Sequence, residues 1–154
     1  MKCRIILELL AILFFTGCYN REQISRLDEA EALIQNKPDS ALTILQQLKS
    51  EGSQAEQARY ALLYSEALDK NHIKATNDSL IRRAWEYYKH HPKDLRRQCK
   101  TLYYWGKVKL RAGDKPGALR LYLKVEEKLN CLEVSYEPVV TDGRITTCLL
   151  YTSP

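Results

Sequence analysis

Apolar residues recur along the chain at the three- and four-residue spacing of amphipathic helices from about residue 22 onward. Residues that form turns and breaks interrupt this pattern at regular intervals. The spacing predicts six helices, which run from about Glu22 to the Asn36-Lys37-Pro38 break, from Asp39-Ser40 to Gly52-Ser53, from Gln54 to Lys70, from Asn77-Asp78-Ser79 to His91-Pro92, from Asp94 to Ala112 and from Pro116 to Asn130. Asp39-Ser40 and Asn77-Asp78-Ser79 are expected to cap their helices, because their side-chain oxygens can accept from unpaired backbone N–H groups.

Related tetrapeptides open every second helix. They are Asp39-Ser40-Ala41-Leu42, Asp78-Ser79-Leu80-Ile81 and Pro116-Gly117-Ala118-Leu119, spaced 39 and then 38 residues apart. Helical hairpins at a fixed period indicate a solenoid, because each pair must bury its apolar face against its neighbours. A bundle of three pairs without true repetition is the alternative interpretation.

The third helix pair resembles the tetratricopeptide repeat. The residues that carry the resemblance are Trp105-Gly106, Gly113-Asp114, Ala118-Leu119, Tyr122 and Val125. In that family small residues let the paired helices approach closely and aromatic residues fill the gap. The resemblance implies an all-α fold, a right-handed superhelical stack of about three antiparallel helix pairs over residues 22–132.

Two features depart from the repeat pattern. Lys109 stands where the family usually has an aromatic residue, and the loop from Asn71 to Asn77 is longer than usual. The run from Tyr60 to Lys70, followed by Asp78-Ser79-Leu80-Ile81, also resembles repeat lipoproteins of gut Bacteroidetes. In that group further repeats often precede a membrane helix and a coiled or regulatory C-terminal part.

The N-terminus resembles a bacterial lipoprotein signal. Lys2 and Arg4 precede a mostly apolar stretch, and Phe15-Thr16-Gly17-Cys18 follows it. The stretch is shorter than the roughly 20 residues that span a bilayer, so it predicts a signal peptide over residues 1–17. Cys18 would then carry lipid, hold the protein to a membrane and begin a short linker over residues 18–21. An uncleaved amphipathic helix is the alternative, since Glu8 interrupts the apolar stretch.

The C-terminal heptapeptide Cys148-Leu149-Leu150-Tyr151-Thr152-Ser153-Pro154 resembles the in-frame translation of a transposon-end sequencing adapter. A natural apolar tail is the other interpretation. If the heptapeptide is read-through, residues 133–147 are the irregular, truncated start of a further segment. The output of a longer gene product would then lie beyond this sequence.

The remaining composition argues against an enzyme. Of five cysteines, only Cys99 and Cys131 belong to the helical body, where they could form a disulfide or remain two buried thiols. The adjacent His90 and His91 cannot share one helix face as metal ligands do. No glycine-rich phosphate loop or paired acid and base is evident, so we expect no catalytic residues, no metal and no cofactor.

Residues 82–111 are strongly basic, and Glu86 and Asp94 are the acids within this stretch. The basic residues are Arg82, Arg83, Lys89, Lys93, Arg96, Arg97, Lys100, Lys107, Lys109 and Arg111. One interpretation is a solvated helix surface. The alternative is a binding groove, because Lys100, Tyr103, Tyr104, Lys107 and Arg111 recur at three and four residues and share one helix face.

The tetratricopeptide resemblance implies that the first helix of each pair lines a concave groove for peptides. It places Lys100, Tyr103 and Lys107 on that groove, with Arg59 from the second pair. A basic, aromatic groove suits an acidic segment or a C-terminal carboxylate. Nucleic acid would also suit the charge, but the export signal argues against it.

The sequence therefore predicts a membrane-tethered repeat scaffold that binds a protein or peptide partner, an acidic one in particular, in the bacterial cell envelope. Residues 19–22 lack the acidic run that resembles a surface-export signal, which favours a protein facing the periplasm. The first alternative is the sensor half of an envelope regulator whose output module is missing. The second is an enzyme whose active site lies in a missing part.

Overall fold

A computed structural model describes residues 21–49 and 52–130, and these two ranges form six helices and no strand. The helices are α1 over residues 21–33, α2 over Pro38–Gln47, α3 over Gln54–Lys70, α4 over Ser79–Tyr88, α5 over Leu95–Arg111 and α6 over Lys115–Asn130. The prediction of an all-α chain is therefore confirmed for this part of the sequence. The predicted signal peptide, Cys18, Cys131 and the whole of residues 131–154 lie outside the described residues.

The helix starts were predicted less well than the helices. Helix α2 begins at Pro38, and within the described residues no side chain caps it, so the predicted cap at Asp39-Ser40 is wrong. A proline suits this first turn because its missing N–H would be unpaired there. Helix α3 instead carries a full capping box, in which Ser53 and Glu56 each accept a hydrogen bond from the other's backbone N–H.

Buried side chains form three clusters that follow one another along the chain. The first joins α1, α2 and α3 through residues such as Leu27, Leu45 and Leu63. The second joins α3, α4 and α5, and the third joins α5 and α6, with Trp85 of α4 packed against it. Because α3 also contacts α5 directly, the first helices of successive pairs lie side by side.

The close approach of α5 and α6 depends on Gly106. A Cβ atom built there would come within 2.4 Å of the ring carbon Cε1 of Tyr122, so the ring occupies the space that a larger residue would need. Trp105 and Tyr122, which the repeat pattern places in the core, are half-buried. In this part of α5, the large side chain that is fully buried is instead Leu102, with 1% exposure.

Within the described ranges, the helices are too short or too polar for any of them to cross a membrane.

Candidate functional site: the side-chain network joining α1, α3 and α5

The structure places the four predicted groove residues on two neighbouring helices. Arg59 lies on α3, whereas Lys100, Tyr103 and Lys107 lie on α5, and all four are half-buried. The three cations each contact a carboxylate from the preceding first helix. Because each cation is already paired, it cannot bind a partner as an unpaired charge would.

Glu66 is the most buried acid of the network, with 1% of its side chain exposed. Lys100 reaches across from α5, and its Nζ donates to Oε1 at 3.1 Å and to Oε2 at 2.9 Å. Gln35 donates to Oε1 at 2.9 Å from beyond the end of α1. Burial is the largest cause of the raised pKa of Tyr104, and the negative charge of Glu66 is the second. Helices α3 and α5 are therefore joined by a desolvated ion pair.

Asp69 lies one turn further along α3 and pairs with two cations of α5. Lys107 donates to its Oδ2 at 2.6 Å, and Arg111 donates to its Oδ1. The ammonium of Lys107 also lies 5.5 Å from the centroid of the Tyr103 ring, within the range of a cation–π contact. One carboxylate is thus shared by two positive charges.

Arg59 is paired in the same way with acids of α1. It lies 2.7 Å from Asp28 Oδ1, and its Nε donates to Glu31 Oε2 at 2.9 Å. Burial opposes the charged guanidinium, but the hydrogen bonds that Arg59 donates to Asp28 and Glu31, with the negative charge of these acids, outweigh it and raise the pKa of Arg59. Arg97 of α5 reaches the same Glu31 at 3.6 Å, so this carboxylate links three helices.

Asp78, which precedes α4, accepts from two further donors on α5. Trp105 Nε1 donates to Asp78 Oδ2 at 3.0 Å, and Lys109 Nζ lies 3.1 Å from the same oxygen. Burial opposes the charge of this carboxylate, but the bonds from Trp105 and Lys109 outweigh it and lower the pKa of Asp78. Lys109, which departs from the repeat pattern, therefore has a structural role as an ion-pair partner.

The basic residues of 82–111 pair with more acids than Glu86 and Asp94, the two that lie within this stretch. At least seven of the ten form ion pairs, and six of these seven contact acids that lie outside residues 82–111. These six are Arg82, Arg97, Lys100, Lys107, Lys109 and Arg111. The sequence does hold a signal for part of this pairing, since Asp69 precedes Lys107 by 38 residues, which is the repeat spacing. Counting acids only along one helix misses those that the stacking of the pairs brings alongside.

Two small cavities adjoin the network. One, of about 240 Å³, lies among α3, α4 and α5, and its polar lining includes Ser65, Asp69, Asn77, Ser79, Lys107 and Arg111. The other, of about 130 Å³, is bordered by α1, α3 and α5, and its polar lining includes Glu31, Arg59, Glu66, Arg96, Arg97 and Lys100. Tyr103 instead packs against the second and third core clusters.

The described residues contain no group of three or more His, Cys, Asp or Glu side chains that could hold a metal ion. His91 is used structurally, because its ring stacks on Tyr87 with centroids 3.9 Å apart. Cys99 is buried, and this burial raises the pKa of its thiol. Its pairing with Cys131 stays a prediction, since Cys131 lies outside the described residues.

In comparisons with known proteins, no family model matches the chain, and no curated protein or solved structure matches it.

Proposed function

We propose that the chain is a membrane-tethered helical repeat scaffold, and that it binds a protein or peptide partner on the face shared by α1, α3 and α5. The observation that carries the proposal is the set of direct ion pairs between successive first helices. Arg59 donates a hydrogen bond to Glu31, and Lys100 donates one to Glu66. These bonds hold three helices in one fixed arrangement, and two cavities open beside them.

A face held in this way suits docking. Binding costs less when side chains and helices are already ordered, because less conformational entropy is lost on association. Lys107, with 31% of its side chain exposed, and Arg97, with 35%, remain accessible to a partner while they are bonded internally. The face therefore offers charge-assisted donors and the half-buried ring of Tyr103 at defined positions.

The tetratricopeptide-like solenoid belongs to this proposal. It is supported by the order of helix contacts, in which α2 packs on α3 and α4 packs on α5. It is also supported by Gly106, whose missing Cβ makes room for the Tyr122 ring as the small and aromatic residues of that repeat do. The proposal assigns no catalytic step to the described residues.

The membrane tether rests on the resemblance of residues 1–18 to a lipoprotein signal. Cys18→Ser should abolish lipid attachment, because only the thiol of that residue can form the thioether link. Metabolic labelling with a radioactive fatty acid, followed by immunoprecipitation of the chain, measures this directly. Equal labelling of the wild type and the variant would refute the tether.

Site-specific photo-crosslinking tests the binding face. A photoreactive amino acid is placed at Arg96, which borders the smaller cavity, and separately at Tyr103. The matched control is Arg120, an exposed residue of α6 that borders neither cavity. Irradiation in the bacterial envelope should join the same protein to positions 96 and 103 and not to position 120. Crosslinks that are identical at all three positions would contradict the proposed face.

A further inference from the structure

The acids of the face do not all have the same number of cationic partners. Glu66 meets one cation, Lys100, whereas Asp69 meets two, Lys107 and Arg111. Among the described residues, Asp69 is also the one acid that lines the larger cavity, and the two cations line it beside Asp69. This cavity therefore carries an excess of one positive charge.

The cations are more accessible than the acid that binds them. Lys107 and Arg111 have 31% and 25% of their side chains exposed, whereas Asp69 has 11%. An ammonium has three N–H donors and a guanidinium has five, so each cation keeps donors beyond its bond to Asp69. A second carboxylate arriving from solvent could bond the same two side chains, but it would meet the negative charge of Asp69.

We propose that Asp69 is an internal competitor that limits the binding of acidic protein segments at this cavity. The inference rests on the proposed function, because it assigns the acidic partner to a particular part of the proposed face. Asp69 holds Lys107 and Arg111 in place and at the same time neutralises half of their charge. A partner carboxylate binds by sharing these donors with Asp69 or by displacing it.

Removal of the Asp69 charge tests the inference. Asp69→Asn keeps the size of the side chain and leaves both cations without their carboxylate. Binding of a fluorescein-labelled oligoglutamate peptide to the full chain is measured by fluorescence anisotropy at low salt. We expect about a tenfold gain in affinity, the effect of removing one charge about 6 Å from the bound carboxylate at an effective dielectric constant of about 40. Added salt should reduce this gain.

Matched variants separate the local effect from net charge. Asp39→Asn removes the same charge from an exposed position at the start of α2, and it should change the affinity much less than Asp69→Asn does. Asp69→Glu keeps the carboxylate and should bind the peptide as the wild type does. Replacing both cations by Gln in the Asp69→Asn background should remove the gain. Circular dichroism confirms that each variant is folded.

The inference is overturned if Asp69→Asn and Asp39→Asn bind the peptide equally, or if the gain survives the loss of both cations. Because the probe is a synthetic peptide, the result does not depend on a natural partner. If photo-crosslinking recovers no partner but Asp69→Asn gains affinity for the peptide, the proposed function is rejected and the anion site at the larger cavity stands. If photo-crosslinking recovers a partner but Asp69→Asn gains no affinity, Asp69 is not a competitor and the proposed scaffold function stands.

Discussion

Replacing Lys100 by Met should destabilise the protein markedly, although lysines on helix surfaces usually contribute little. The variant keeps the aliphatic stem but leaves the charge of Glu66, 1% exposed, with only the neutral donors Gln35 and Tyr104 among its described side-chain partners. Removing one partner of a buried ion pair costs about 3–5 kcal/mol, because an uncompensated charge stays desolvated. Lys100 itself is 16% exposed, so some water can replace it, and we expect a loss of about 3 kcal/mol.

Urea unfolding followed by far-ultraviolet circular dichroism measures the loss as a change in the free energy of unfolding at constant slope. The control is Lys89→Met, which breaks a pair with Glu86 on the open surface of α4 and should leave the stability nearly unchanged. A second variant, Glu66→Gln in the Lys100→Met background, removes the unpaired charge and should recover much of the loss. If Lys100→Met is no less stable than Lys89→Met, the buried pair does not hold α3 to α5.

Two further changes test other contacts. Gly106→Ala should lower the free energy of unfolding by about 1–2 kcal/mol, because overpacking against Tyr122 costs up to about 3 kcal/mol and alanine returns about 1 kcal/mol of helix propensity. In thermal melts, this loss should disappear when the same substitution is made in a Tyr122→Ala background. Asp78→Asn should lower the free energy of unfolding near neutral pH and match the wild type in acid. The lowered pKa of Asp78 means that its contribution is present above the unfolded value of about 3.9 and is lost as the pH falls through the folded value, which urea titrations at several pH values would follow. A constant difference across that range would contradict the assignment.

The helices could be predicted because the apolar spacing and the breaks that bound each one lie within its own stretch of sequence. Helix α3 was expected from Gln54 to Lys70 and has those bounds, since Gly52-Ser53 breaks the chain before it and the apolar spacing runs unbroken through it. The start of α2 was less readable, because Pro38 and Asp39 both favour a helix start and the residue types alone do not rank them.

The charges on α5 could not be assigned in the same way, because their partners are distant in sequence. Glu66 and Asp69 come within hydrogen-bond distance of Lys100 and Lys107 only when the second and third pairs stack. The repeat spacing indicated that stacking and matches the offset between Asp69 and Lys107, but it did not indicate that Glu66 would meet Lys100. Replacing Lys100 by Glu should therefore disturb folding and not binding alone, since Lys100→Glu would set a second carboxylate against the buried carboxylate of Glu66.

This pairing also changes what an acidic partner would gain from the face. A groove of unpaired cations would attract acids strongly and lose that attraction in salt. Here most of the cations are already neutralised, so a carboxylate that binds them largely exchanges one ion pair for another. Net attraction remains where the cations outnumber the acids, as they do beside Asp69 and in the lining of the smaller cavity. The face should therefore select a partner by the position of its acidic groups more than by their number, and shape and the half-buried Tyr103 must supply much of the affinity.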